Sequence, residues 1–182
     1  LDDSEHARLD GWANRAVLSR PGPAPVSIPE VFAAQVARAP HAPAVTFEGQ
    51  TLTYGEVDEA ANRLANLLAV HGAGPGEYVG LLLPRSADAI VAMLAVLKCG
   101  AAYVPMDPAV PAARLDFMLA DAAPVAVLTT TELGPRLQGS GVAVIDVDDP
   151  AVHAQPSTAL SAPAADDIAY LIYTSGTTGV PK

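Results

Sequence analysis

Between residues 78 and 147 the chain alternates short, nearly unbroken apolar runs with stretches of helical periodicity. This alternation constrains the fold more than any other feature. The apolar runs lie at 78–83, 101–104, 125–129 and 142–147. A strand with one wet face alternates apolar and polar residues; these runs do not, so both of their faces must be covered. Helical segments are expected between them: one capped by Ser86 and running to Lys98, one over 112–120, and a short one over 131–137. Strands that alternate with helices pack as a parallel sheet. The predicted fold class is therefore α/β, with a mostly parallel sheet flanked by helices. A last run, 168–173, reads as a strand leading into a loop rich in Thr, Ser and Gly.

The segment before this region is organised differently. Residues 1–19 read as a short polar helix with Leu9, Trp12 and Val17 as apolar anchors. Residues 20–29 hold Pro21, Pro23, Pro25 and Pro29, which lack the amide donor a helix needs. Residues 1–29 thus form an inter-domain linker with a short helix, and 30–182 the domain itself. A helix over 29–38 begins on Pro29, which suits a first helical turn. Runs at 44–48 and 51–53 predict a hairpin turning on Gly49-Gln50. Thr53 and Glu56 have capping-box spacing. The helix they open places Val57, Ala61, Leu64, Leu67 and Leu68 on one side, with Glu59 and Arg63 paired on the other, and ends at Gly72. Residues 149–165 read as a polar Ala/Pro/Ser loop.

Composition excludes several function classes. Ten Lys+Arg against twenty Asp+Glu give a formal net charge of −10, which argues against nonspecific binding to nucleic acid or an anionic membrane. The strongest apolar run, 89–97, is far short of the ~20 residues a membrane span needs. The single Cys99 excludes an internal disulfide and a thiolate metal cluster, and suits a reducing, cytoplasmic setting. With no histidine near it in sequence, Cys99 reads as a small buried residue, not a nucleophile. His6, His41, His71 and His153 are scattered without ligand spacing. Asp146, Asp148 and Asp149 read as a solvated strand end, and Lys98 as a cation in the last turn of a helix. No metal-ligand set and no catalytic side chain emerges.

The sharpest chemical signal is the string Tyr173-Thr174-Ser175-Gly176-Thr177-Thr178-Gly179-Val180-Pro181-Lys182. Thr174, Ser175, Thr177 and Thr178 supply hydroxyls, Gly176 and Gly179 let a backbone approach a ligand closely, and Lys182 adds a compact positive charge. Backbone amides in such a loop can form an anion-binding nest. A loop of this kind after a buried strand suits a polyphosphate. Pro181 before the lysine rules out the Walker A pattern. The alternative is a flexible linker in a purely structural domain.

That string resembles the phosphate-binding signature of the adenylate-forming (AMP-binding) superfamily. Leu52-Thr53-Tyr54-Gly55-Glu56-Val57 resembles the first core motif of the adenylation domains of nonribosomal peptide synthetases. The stretch from Leu97 to Asp107 resembles the second, and its continuation with Pro111, Arg114, Leu115 and Leu119-Ala120-Asp121-Ala122 is similar to amino-acid-activating members. Leu9, Trp12 and Asn14, then 32–40, resemble the linker after a condensation domain and the entry to an adenylation domain. The resemblance implies the N-terminal portion of the large domain of the acyl-CoA synthetase-like fold, truncated. It further implies an ATP-dependent ligase that forms aminoacyl-AMP from an amino acid and MgATP. The aminoacyl group would then pass to the phosphopantetheine thiol of a carrier (thiolation) domain in the same chain. Thr174, Ser175, Gly176, Thr177, Thr178, Gly179 and Lys182 are the implied ATP phosphate contacts, with Mg2+ sharing their work. The 182 residues alone are expected to be an inactive fragment. An acyl-CoA or acyl-carrier-protein ligase, and a non-catalytic nucleotide-binding piece, are the alternatives.

Overall fold

The structure, a computed structural model, describes residues 2–13, 17, 20–22 and 24–174. Helix α1 (Asp3–Trp12) opens with a capping box: the Asp2 carboxylate accepts from the Glu5 amide, and the Glu5 carboxylate from the Asp2 amide. It buries none of its residues. Leu9, Trp12 and Val17, expected as anchors, are exposed. The helix is held by its cap and by the Arg8 guanidinium over the Trp12 ring, not by packing.

The body begins at α2 (Ile28–Arg38), capped by Ser27 with Pro29 in its first turn. Strands β1 (Pro43–Phe47) and β2 (Gln50–Thr53) form the expected hairpin. Its turn, however, is Glu48-Gly49, one residue earlier than predicted, because Phe47 pairs with Gln50. Glu48 and Gly49 both have positive φ (47° and 80°), the twist that a two-residue hairpin turn favours. Thr53 then caps α3 (Tyr54–Val70), with the predicted reciprocal bonds to Glu56. All five predicted apolar positions of α3 are buried. Arg63 does not pair with Glu59; it donates to the carbonyls of His153 and Gln155.

The main sheet contains β3 (Tyr78–Leu81), β4 (Ala102–Pro105), β5 (Ala126–Thr129) and β6 (Ala143–Asp146), all parallel and ordered β4-β3-β5-β6. Helices α4 (Ala87–Lys98) and α5 (Ala112–Ala122) supply crossovers. Alternate strand residues serve two cores. Val79, Leu81, Ala126 and Leu128 pack with α3 and α4, while Leu82, Val104, Met106 and Val127 pack with α5. The central strands β3 and β5 thus bury both faces, as their unbroken apolar character demanded. The edge strands fall short of that expectation: β4 leaves Tyr103 and Pro105 half-buried, and β6 buries Ile145 but exposes Val144, because an edge strand lacks a neighbour on one side. The expected short helix over 131–137 is a single 3-10 turn, Gly134–Leu137, and the 149–165 loop contains one helical turn, α6 (Pro150–His153), capped by Asp149.

The expected last strand over 168–173 is reduced to one parallel bridge, Tyr103 with Tyr170. The Tyr103 amide donates to the Ala169 carbonyl at 3.1 Å, and the Leu171 amide to the Tyr103 carbonyl at 3.0 Å. The segment lies beside β4, on the opposite edge from β6. To reach it the chain must recross the fold, and α3 guides that passage. Asn62 donates to the carbonyl of Ser157, and Asn66 to those of Pro156 and Thr158. With the two Arg63 bonds, three side chains of one helix fix the path of residues 153–158.

Candidate functional site

The candidate site follows from how the 168–174 segment is held. Its residues alternate between two environments. Leu171 and Tyr173 pack against the core beneath α5, while Ile168, Tyr170 and Ile172 are exposed. The ring of Tyr170 lies 5.7 Å from that of Tyr103, which extends the bridge through side chains. The Tyr173 hydroxyl donates to Asp121 Oδ2 at 2.6 Å, and its ring meets Phe117 edge-on at 6.2 Å and 79°. Burial, followed by the Asp121 carboxylate and then Tyr78, pushes the Tyr173 hydroxyl up to about 12. It therefore remains a donor throughout the physiological range.

Of the expected phosphate contacts, Thr174 is exposed immediately beyond this anchored tyrosine. Ser175, Gly176, Thr177, Thr178, Gly179 and Lys182 lie outside the described residues. Asn14, of the linker resemblance, also lies outside them.

Lys98, Cys99, Asp146 and Asp149, weighed from sequence, have structural partners. Lys98 is buried, and its Nζ reaches Asp58 Oδ1 at 2.6 Å and Asn62 Oδ1 at 2.5 Å. The Phe32 ring centroid lies 6.0 Å away. The expectation of a mere end-of-helix cation missed this cross-link between α3 and α4. Asp58 and Asn62 are one turn apart on α3, a spacing compatible with a shared partner. Cys99 donates its thiol to the Ala65 carbonyl at 3.2 Å, and burial pushes it up to about 12. Asp146 Oδ2 accepts from Thr131 at 2.5 Å, and Asp149 caps α6. Among the described residues no group of three His, Cys, Asp or Glu side chains could hold a metal, and no helix is long and apolar enough to cross a membrane.

Comparison with known proteins supplies the family. The family model described as AMP-binding enzyme matches residues 32–182. The isonitrile lipopeptide synthase of Mycobacterium tuberculosis (strain ATCC 25618 / H37Rv) is 59% identical over 182 residues, covering 100% of this chain and 7% of its own length. Among solved structures, the nonribosomal peptide synthetase FmoA3 bound to α-methyl-L-serine-AMP superposes with a TM-score of 0.80 at 36% identity, over 90% of this chain and 18% of that one. Its AMPPNP-bound form gives a TM-score of 0.79 at 35% identity, over 86% and 17%. The chain thus spans less than a fifth of the length of each of these relatives. The family match and these likenesses agree: the chain belongs to the AMP-binding enzyme family, among relatives that are nonribosomal peptide synthetases.

Proposed function

We propose that this chain is the N-terminal portion of an adenylation domain, from about residue 30 onward, in a cytoplasmic nonribosomal peptide synthetase. The domain would activate an amino acid. The observation that carries this reading is the Thr174–Lys182 string, joined to the parallel sheet through the Tyr103–Tyr170 bridge and contained in the 32–182 family match. The AMPPNP and α-methyl-L-serine-AMP bound to the similar synthetase support a nucleotide and an aminoacyl adenylate as ligands of such a domain.

In the proposed reaction a carboxylate oxygen of the amino acid attacks the α-phosphorus of ATP. The bond from the α-phosphorus to the bridging oxygen breaks, and pyrophosphate leaves with that oxygen. A carrier-domain thiol then attacks the acyl carbon, loses its proton and releases AMP. The hydroxyls of Thr174, Ser175, Thr177 and Thr178, the amides at Gly176 and Gly179, and the Lys182 ammonium would hold the β- and γ-phosphates. They would stabilise the charge that grows on the leaving pyrophosphate. A chain of net charge −10 needs such local positive groups where ATP sits. Hydroxyl oxygens suit Mg2+, which commonly keeps its waters and substrate phosphates as ligands, so an all-protein metal cage is not required. Magnesium would supply charge neutralisation at the phosphates. An upstream condensation domain and the phosphopantetheine-bearing carrier complete the proposed module.

The test is substrate-dependent ATP–pyrophosphate exchange by the full-length protein, across a panel of amino acids and fatty acids. Exchange driven by one or a few amino acids is expected. Exchange driven only by fatty or aromatic acids would replace this reading with an acyl ligase. Silence across a folded protein would replace it with a non-catalytic role.

A further inference from the structure

Glu59 and Arg63 have the spacing of a pair on α3, but the structure separates them. The Arg63 guanidinium is spent on the carbonyls of His153 and Gln155, at 3.0 and 2.6 Å. Glu59 is left at the edge of a groove of about 360 Å3 between α3, α4 and the turn after β6. The floor of this groove is apolar: Leu52, Ala60 and Val147 are half-buried in it, beside the buried Leu64, Val91 and Val152. Its rim is acidic. Glu56 and Glu59 from α3, Asp88 from the first turn of α4 and Asp148 from the turn after β6 are exposed along it. Glu56 is engaged by Thr53. Among the described residues, the carboxylates of Glu59, Asp88 and Asp148 have no partner. Four carboxylates from three elements thus border one apolar floor, and the single arginine there is turned to backbone carbonyls.

We propose that this groove is the docking site for a separate polypeptide, which lays an aliphatic or aromatic side chain on the apolar floor and sets lysine or arginine side chains against the acidic rim. Like charges gathered from three elements repel one another in the free protein. A basic segment relieves that repulsion as it covers the floor. An apolar floor within a polar rim is the usual anatomy of a protein interface. Position argues that the occupant is not an adjoining segment of this chain. Ile28, where the chain enters α2, and Ile168, where it runs out beside β4, line one cavity with Ala101. Val147 and Asp148 follow β6, at the opposite edge of the β4-β3-β5-β6 sheet. The proposal is independent of the amino-acid-activating reading.

The test uses the full-length protein and a fluorescein-labelled peptide, Lys-Arg-Leu-Leu-Arg-Lys, followed by anisotropy at about 0.15 M salt. Saturable binding is expected, with slowed hydrogen exchange in the protein's 56–64 and 147–153 segments. Serine in place of both leucines of the peptide should weaken binding about tenfold, because the floor then loses its apolar partner. Glu59→Lys combined with Asp148→Lys should also weaken it about tenfold. Asp116→Lys combined with Glu132→Lys makes the same change of net charge at exposed positions outside the groove. That pair should weaken binding by about twofold or less. Binding indifferent to the leucines, or weakened as much by the remote pair as by the groove pair, would reduce the effect to general attraction by a chain of net charge −10 and overturn the proposal. A folded full-length protein that does not bind the peptide would overturn it as well, since its groove would then be inert or already covered by its own chain. If the groove pair fails to fold, the comparison of the two peptides on the unaltered protein still decides.

Discussion

At the scale of single residues, the most consequential polar group is one that needs a partner from another helix. The ammonium of Lys98 is buried against Asp58 and Asn62, and Asn62 also binds Asp58 and the Ser157 carbonyl. Removing one partner of a buried ion pair leaves the other charge uncompensated. Lys98→Met is therefore expected to cost about 3 kcal/mol in urea unfolding. The double variant with Asp58→Leu should recover part of that loss. Cys99 illustrates the opposite effect of burial. With its thiol pushed up to about 12 from 9.0, the thiolate fraction near neutrality is depressed ~10³-fold. Native protein should react with iodoacetamide at pH 8 far more slowly than unfolded protein. The sign for stability follows: the unfolded chain releases this proton first, so stability falls as pH rises above about 9. The unreactive character of Cys99 was legible in its sequence context, because no histidine lies near it to activate a thiolate, but its expected full burial is only half met. The Lys98 cross-link was not legible, since it joins positions 36 and 40 residues away.

At the scale of elements, the strands show how far a pattern constrains packing. Gly80 sits in the middle of β3, where a valine or isoleucine would be expected. A Cβ there would lie 3.0 Å from Val127 Cγ2 and 3.2 Å from Met106 Cε. The glycine lets β5 and the residue after β4 close over the α5-facing core. Gly80→Val is expected to destabilise by about 1–3 kcal/mol in chemical denaturation, the usual cost of overpacking. Gly80→Ala should cost less, because the Met106 terminus can yield. The capping box of α3 was legible at full detail, since its partners are three residues apart and the bonds are local. The hairpin turn was legible only to within one residue. Glycine can fill either turn position, and only the pairing of Phe47 with Gln50 shows that Glu48 takes the first. The run at 168–173 has the composition of a strand, yet only one bridge forms. A strand is completed by its neighbours, and here β4 is the sole described one.

At the scale of the whole molecule, the exposed apolar surface is the salient property. Ile168, Tyr170 and Ile172 point outward from the β4 edge, and Val26, Ile28 and Val31 are exposed near α2. Ile28 and Ile168 line a common cavity, so the two groups adjoin. Apolar patches of this kind on an isolated chain promote association. The 182 residues by themselves are expected to self-associate in a concentration-dependent manner in sedimentation velocity. Ile168→Thr combined with Ile172→Thr should reduce this association. A concentration-independent monomer in the unaltered chain would count against the prediction.

The sequence alone determined the α/β class, the Thr53 and Ser86 caps, the central strands that bury both faces, and the family to which the string from Tyr173 to Lys182 points. All of these depend on neighbours within a few residues, or on periodicity that one element expresses by itself. Only the tertiary structure decided the β4-β3-β5-β6 order, the Lys98–Asp58–Asn62 cross-link, the path of 153–158 along α3, and the tie from Tyr173 to Asp121. Each of these joins residues distant in the chain. Their pairing depends on which surfaces the packed helices bring within hydrogen-bond reach, and no local pattern encodes that distance.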